Sequence, residues 1–361
     1  MSQFHEPAGY LDFARIGPPS LAVARTVAQA AEWLARDPSA ALTHLELEAS
    51  RTRAVAARLL KCSPHEVAFV SSTSHALFAA AAGLGGGVVL VPRGEFPANV
   101  YPWLRFQERG GLRPRWIDSA AITADVLREH LDDDVRALAV SAVDATTGHR
   151  APLGALKEVL GEDRLLVVDA IQGLGAVPLD VAAADVLACG GQKWLRAGWG
   201  AALLLVRDRV ADRLAPGLGG WSGVHAPFGA RHPMPPLPGA VAHSATNPDL
   251  SAVAALGAAI DLVLSAGETN IARQISQTLA SLLDAARTAG AEVLFPEEPA
   301  GIARVRLPGH DPASTHAALG AAGLVTTLRG GWIRLSPHAT TPGDTADRLR
   351  AALTPRKETH K

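Results

Sequence analysis

Lysine is scarce in this chain, limited to Lys61, Lys157, Lys193, Lys357 and Lys361 although lysine and arginine together number 34. Lys193 is the unusual one. It stands in GGQKW directly after an apolar run, whereas Lys61 follows an amphipathic helix pattern, Lys157 lies on a surface-helix pattern and the last two belong to the terminal segment. An amine withdrawn from water gives up its charge more readily. It could then attack an aldehyde to form the Schiff base on which pyridoxal phosphate chemistry rests. A lysine snorkelling past Trp194 would leave the same local sequence. Asp169 ends the apolar run in LLVVDAIQG, 24 residues before Lys193. If both runs are parallel strands, their C-terminal ends could converge, and an anionic Asp169 would keep a pyridine nitrogen protonated. Gln172, in the same turn, could donate to a phenolic oxygen. Helix capping by Asp169 and backbone bridging by Gln172 are the alternatives.

A second group of residues suits an anion. Ser72, Thr73 and Ser74 precede a helical pattern, so their hydroxyls and the free N–H groups of the first turn could surround a phosphate, or simply cap the helix. The segment has neither a GxxxxGKT loop nor a dinucleotide fingerprint. Phe96 in GEFPANVYPW could cover a flat ring, while His75 and Trp103 could equally fill nearby core.

These residues need a scaffold, and the chain is long enough to provide one: 361 residues, 48% hydrophobic and 19% charged, with 34 basic and 35 acidic side chains. The resulting formal charge of −1 gives no global attraction to nucleic acid or to an anionic membrane. Cys62 and Cys189 form neither a closely spaced metal set nor a disulfide framework, which favours a reducing cytoplasm. No metal site is expected. The opening MSQFHEPAGYLDFARIGPP lacks the pattern of a secretory signal, and the apolar stretches are interrupted by glycine, proline or charge, against a membrane protein. Leu21 to Leu60 predicts two helices broken near Pro38. Strands are expected around Glu66–Val70, Val88–Val91, and in runs from Val135, Arg164, Ala184 and Gly200, alternating with helical stretches, hence an α/β domain. The Gly-, Pro-, His- and Trp-rich stretch from Arg213 to Pro248 predicts a long loop. A helical stretch from Ser251 to Ala289, three strand-like pieces (VLF, IARVRL, WIRLSP) and a final helix near Asp344–Leu353 predict a smaller α/β domain.

The order FVSSTSHAL, EFPANVYPW, VSAVDATTG, VVDAIQG and GGQKW resembles the class V aminotransferase superfamily, from about Tyr10 to Leu353. The resemblance implies pyridoxal-phosphate fold type I: a large domain with a mostly parallel seven-stranded sheet flanked by helices, and a smaller C-terminal α/β domain. The corresponding division is an arm at 1–20, a cofactor domain at 21–250, a connecting helix and small domain at 251–353, and a tail at 354–361. It implies pyridoxal 5′-phosphate as cofactor, with Lys193 in the internal aldimine, Asp169 on the pyridine nitrogen and Phe96 over the ring. Thr73 and Ser74 fall near the phosphate with Ser72 beside them, Gln172 near the phenolic oxygen, and Gln192 where relatives place a phosphate-contacting polar residue. Thr246 in AHSATNPD resembles a threonine that serves the neighbouring subunit's phosphate, so a homodimer with shared sites is implied. Arg334 in GWIRLSPHA matches an arginine that grips the substrate carboxylate, and Arg15 is a further candidate contact to a small amino-acid substrate.

The chain departs from the pattern at three points. Ala145 stands where several relatives have asparagine, Phe96 where many have a stacking histidine, and neither cysteine falls on the distal loop that would carry a persulfide. The reading at this level is transamination of an amino acid. A carbon–sulfur β-lyase or an epimerase is the alternative, and a cofactor-binding regulatory protein the non-enzyme alternative.

Overall fold

A computed structural model describes residues 3–229 and 231–354. Met1 and Ser2 of the expected arm, Ala230 of the expected loop, and 355–361 of the expected tail lie outside the described residues.

Seven strands form the large sheet: β1 (Val67–Val70), β2 (Gly87–Pro92), β3 (Leu112–Ile117), β4 (Val135–Ser141), β5 (Leu165–Asp169), β6 (Val186–Gly190) and β7 (Ala202–Val206), in spatial order β1-β7-β6-β5-β4-β2-β3. From β3 through β6 the neighbours are parallel, while β7 runs antiparallel to both β6 and β1. Every residue of β5, β6 and β7 is buried, because helices cover both faces and alternation with polar residues has no purpose there. The two-residue period survives in the packing. Leu166, Val168, Leu187 and Leu203 join one core, whereas Val167, Val186, Ala188 and Leu204 join the core on the opposite face.

Six of the seven strands coincide with the runs read from sequence, and β3 does not. Its sequence, LRPRWI, carries a proline and two arginines, and only its first and last residues are buried. It occupies the sheet edge, where a proline sacrifices no ladder bond and charge faces solvent. The two N-terminal helices form as expected, α1 (Leu21–Arg36) and α2 (Pro38–Leu60). Asp37 accepts from the N–H groups of Ser39 and Ala40, and Pro38 takes the first-turn position that needs no N–H partner. The expected helical stretch after Ser251 is two helices, Leu250–Ala266 and Glu268–Thr288, turned by 81° about Gly267 at φ 78°. No single helix among the described residues is long and apolar enough to cross a membrane. Among its described residues, the stretch from Arg213 to Pro248 contains the end of a 3-10 segment (Asp208–Arg213), short 3-10 segments at Trp221–Gly223 and Gly239–His243, and an isolated antiparallel bridge between Val224 and Pro236.

Four further strands, β8 (Glu292–Leu294), β9 (Ala303–Arg306), β10 (Thr327–Arg329) and β11 (Trp332–Leu335), form an antiparallel sheet in the order β10-β11-β9-β8. Its core of Leu279, Leu282, Val305, Leu319, Ile333 and Leu349 is separate from those of the large sheet. The N-terminal arm connects the two bodies. Tyr10 bridges to Val325 and Asp12 to Ser336, and five residues later the Gly17 N–H donates to the Gln192 carbonyl at 2.9 Å. Arg196, at φ 61°, fastens the arm from below by donating to Pro18 O at 2.6 Å and pairing with Glu6 at 3.0 Å.

A Cβ on Gly17 would lie 2.1 Å from the Lys193 carbonyl oxygen, a backbone atom that cannot swing aside. Gly17→Ala is therefore expected to destabilise the protein by about 1–3 kcal/mol, read as a lower urea midpoint at unchanged slope. An unchanged midpoint would show that the arm is not seated in solution as described.

Candidate active site

Asp169 is the last residue of β5, and Lys193 lies three residues beyond the end of the parallel neighbour β6. Both thus sit at the carboxyl ends of adjacent parallel strands, the place where open α/β sheets build ligand sites. Burial pushes the Asp169 carboxyl up to about 6, against the pull of the Ile171 N–H (3.0 Å) and the nearby Lys193 charge. Burial lowers the Lys193 amine to about 8; Asp169 draws it back up, while Arg334 and Arg329 lower it further. A neutral, nucleophilic amine is accordingly accessible near physiological pH. The Lys193 Nζ stands 5.4 Å from the centre of the Phe96 ring.

A cavity of about 270 Å³ opens here, lined by Lys193, Phe96, Gln172, Arg15, Arg329 and Arg334 together with Ala14, Ala145 and Thr327. Arg334 is buried, donates to the Ala145 carbonyl at 2.9 Å, and pairs with Asp12 at 3.1 Å. Its Nη1 and Nη2 each keep a second N–H beyond these bonds, so the guanidinium retains donors for an incoming acceptor, while its Nε is enclosed by the protein without a partner. Asp12 is itself held by the Thr327 hydroxyl at 2.9 Å to each carboxylate oxygen. Removing one member of such a buried pair strands the other, which is the larger penalty in a site of this kind. Gln172 is more constrained than its sequence position suggests. Its Nε2 donates to Ala14 O and its Oε1 accepts from the Trp194 indole, both at 2.9 Å, so one amide hydrogen remains for a ligand.

The residues read as phosphate contacts cluster at the start of helix α3 (Thr73–Gly83). Ser72 is its N-cap and accepts from the His75 N–H at 3.1 Å. The buried Thr73 hydroxyl accepts from the Gly190 N–H at 2.9 Å. A Cβ on Gly190 would meet Gln192 Oε1 at 2.3 Å and Thr73 Oγ1 at 2.9 Å; the missing side chain is what lets Thr73 and Gln192 converge. Ser74 lies in the first turn, half-buried. Thr246 is exposed, ahead of the helix that begins at Leu250, and does not line the cavity.

Several participants escaped the sequence reading. Asp12 lies in an arm with no recognisable motif, and its partner is more than 300 residues away. Arg329 precedes a Gly-Gly turn in TLRGGWIRL, where the alternation around the turn was the available signal. Glu95, beside Phe96, accepts from the Ser141 N–H at 2.6 Å and the Ser141 hydroxyl at 2.5 Å. Burial, with Asp169 adding to it, raises its carboxyl to about 7.

The donor set fits pyridoxal 5′-phosphate on geometry: a low-pKa amine over an aromatic ring, an acid buried below it, and hydroxyls with free N–H groups at a helix start. Lys193 would hold the aldehyde carbon, Asp169 the pyridine nitrogen proton, and α3 the phosphate. The rate at which cofactor-free protein captures pyridoxal 5′-phosphate is expected to rise with pH through a midpoint near 8, because only the neutral amine attacks. Asp169→Asn removes the charge that favours the ammonium and should move that midpoint down; Arg334→Gln removes a repelling cation and should move it up. Absorbance-monitored capture between pH 6 and 10 reads all three, and a midpoint near 10.5 would refute the desolvated-lysine description.

Comparison with known proteins agrees with this geometry. The family model for Aminotransferase class-V matches residues 29–339. A kynureninase of Deinococcus radiodurans is 33% identical over 59% of this chain and 53% of its own length. A probable cysteine desulfurase of Aeropyrum pernix is 33% identical over 49% of this chain and 46% of its own. The chain thus spans about half the length of these two curated relatives. Among solved structures, a complex between the cystine C-S lyase C-DES and its reaction product cysteine persulfide superposes with TM-score 0.88 at 20% identity, covering 96% of this chain and 97% of that one. This is a likeness of fold. The family match spans most of the chain, the sheet topology is that of fold type I, and the chain belongs to the class V aminotransferase family of pyridoxal-phosphate-dependent enzymes.

Proposed function

We propose that this enzyme is a carbon–sulfur β-lyase acting on an α-amino acid. The transamination reading gives way to its alternative, because the named relatives include a kynureninase and cysteine desulfurases, and a structural neighbour is a cystine C-S lyase. The observation that carries the proposal is a pocket lined by Lys193, whose amine burial shifts down, and by Arg334, with neither cysteine in its wall. Cys189 is buried and its thiol is pushed far up by burial, with Asp169 adding to it; burial raises Cys62 to about 11. Neither supplies a thiolate to receive sulfur, so sulfur departs with the leaving group rather than onto the enzyme.

The cofactor, when bound, supplies the electron sink that makes a substrate Cα–H bond acidic. The protein supplies the rest. Arg334 would fix the α-carboxylate through the remaining N–H groups of its Nη atoms, orienting the Cα–H bond toward Lys193. Lys193, whose amine burial shifts down so that its neutral form is accessible, would take the Cα proton. The Cβ–S bond then breaks with its electron pair leaving on sulfur, and hydrolysis of the remainder gives pyruvate and ammonia. Asp169 would hold its negative charge against the ring nitrogen. Thr246 is consistent with service to a neighbouring copy, and exposed Trp199, Trp221 and Phe228 in the same part of the molecule are compatible with a homodimer. The two free thiols are consistent with a cytoplasmic setting.

Challenging the pyridoxal-loaded protein with a panel of cysteine thioethers and disulfides, with products read by mass spectrometry, tests the reaction. Retained pyridoxal with pyruvate and a released thiol or persulfide is expected, and Lys193→Ala should abolish it. Conversion to the pyridoxamine form with an unfragmented keto acid would restore transamination instead. Cys62→Ala should leave turnover within about twofold; a loss of orders of magnitude would indicate a sulfur-accepting desulfurase.

A further inference from the structure

Charge around the cavity is unbalanced. Four cationic side chains line it, Arg15, Lys193, Arg329 and Arg334. Asp169 faces Lys193, and Asp12 pairs with Arg334 at 3.1 Å. Arg15 and Arg329 have no carboxylate partner among the described residues, a condition they share with surface arginines such as Arg25, Arg36 and Arg58; what sets them apart is that they line the cavity. The excess is felt inside the site. Arg329 and Arg15 both press against the Arg334 charge, and Arg329 presses against that of Lys193.

The position of Arg329 is built. It ends β10 ahead of a turn made by Gly330 (φ 57°) and Gly331 (φ 77°). Thr327, two residues earlier and therefore on the same face of the strand, is the cross-strand partner of Arg334. Thr327, Arg329 and Arg334 consequently address the cavity from one side of a single hairpin, and the Arg329 guanidinium lies 5.7 Å from the Phe96 ring centre. Ser72, Thr73, Ser74 and Gln192 do not line this cavity, so the surplus charge stands away from the candidate phosphate contacts. Arg15 and Arg329 are exposed at the mouth of the cavity, where water solvates them, so one α-carboxylate on Arg334 leaves their donors on offer to a second anionic group that displaces that water.

We propose that Arg329 is a specificity-determining residue that grips a second anionic group, so that the substrate is a cysteine thioether whose sulfur substituent carries a carboxylate. The proposal rests on the β-lyase reading. A guanidinium matches a carboxylate with paired donors, and the pairing is stronger beside a low-dielectric wall than in open water.

The test uses two probes of nearly equal shape, S-carboxymethyl-L-cysteine and its neutral amide, S-carbamoylmethyl-L-cysteine. Each is titrated into pyridoxal-loaded protein by absorbance, with pyruvate release measured in parallel. The acid should bind about tenfold to a hundredfold more tightly than the amide, the range of a charge-assisted bond. Arg329→Gln should collapse that ratio to near one, and Arg329→Lys should restore part of it. Equal affinities in the wild type, or a ratio unmoved by Arg329→Gln, would overturn the inference while pyruvate release from both probes left the lyase reading standing. Collapse of the ratio in Arg15→Gln but not in Arg329→Gln would assign the contact to Arg15 and overturn it likewise. No spectral change and no pyruvate with either probe, or with any other cysteine derivative, would overturn both.

Discussion

An amine and a carboxylate buried at the ends of neighbouring parallel strands form the constraint around which this protein is arranged. Asp169 and Lys193 each resist ionisation because water is excluded, and each is partly stabilised by the other's charge. The balance gives the lysine a substantial neutral fraction slightly above neutral pH and leaves the aspartate available as an anion. Maintaining it requires a dry environment, and that environment comes from strands buried at every position, from Trp194 packed under the lysine loop, and from the N-terminal arm laid across it.

The arm has a structural role out of proportion to its length. Its described residues form no helix or strand before Leu21, yet it bridges to the small sheet at Tyr10 and Asp12 and to the lysine loop at Gly17. Asp12 holds Arg334, Ala14 holds Gln172, and Arg15 reaches the cavity. Arg334, in the small sheet, and Lys193, just beyond a strand of the large one, are therefore placed relative to each other by this segment. Arg196 secures it by stacking on Phe4 and Phe13, with ring centres 3.7 and 5.1 Å from the guanidinium carbon. The adjacent His338, kept neutral by burial, stacks on Phe13.

On the opposite wall the β10–β11 hairpin brings Thr327, Arg329 and Arg334 to one face of the cavity, so under the proposed function a short strand pair would govern both the orientation of an amino acid and the charge its side chain meets. Phe96 lies between this hairpin and Lys193, near a cation from each. A flat ring there limits the cavity without adding charge to it.

Local sequence determined a good deal. The buried strands β5, β6 and β7 are legible because both of their faces must be apolar, and the α1–α2 break is legible because Pro38 allows a helix to start but not to continue. Asp169 and Lys193 were identifiable because a charged residue at the end of an apolar run has few structural reasons to be there. Strand β3 was not legible, since an edge tolerates the proline and arginines that argue against a strand. The bend at Gly267 was hidden within an unbroken helical composition. Only the tertiary structure could pair Arg334 with Asp12, occupy most of the hydrogen-bonding capacity of Gln172 with Ala14 and Trp194, and leave Arg329 facing a cavity without a counter-charge. Those are contacts between residues far apart in the chain, and local pattern carries no information about which distant group will satisfy a buried donor.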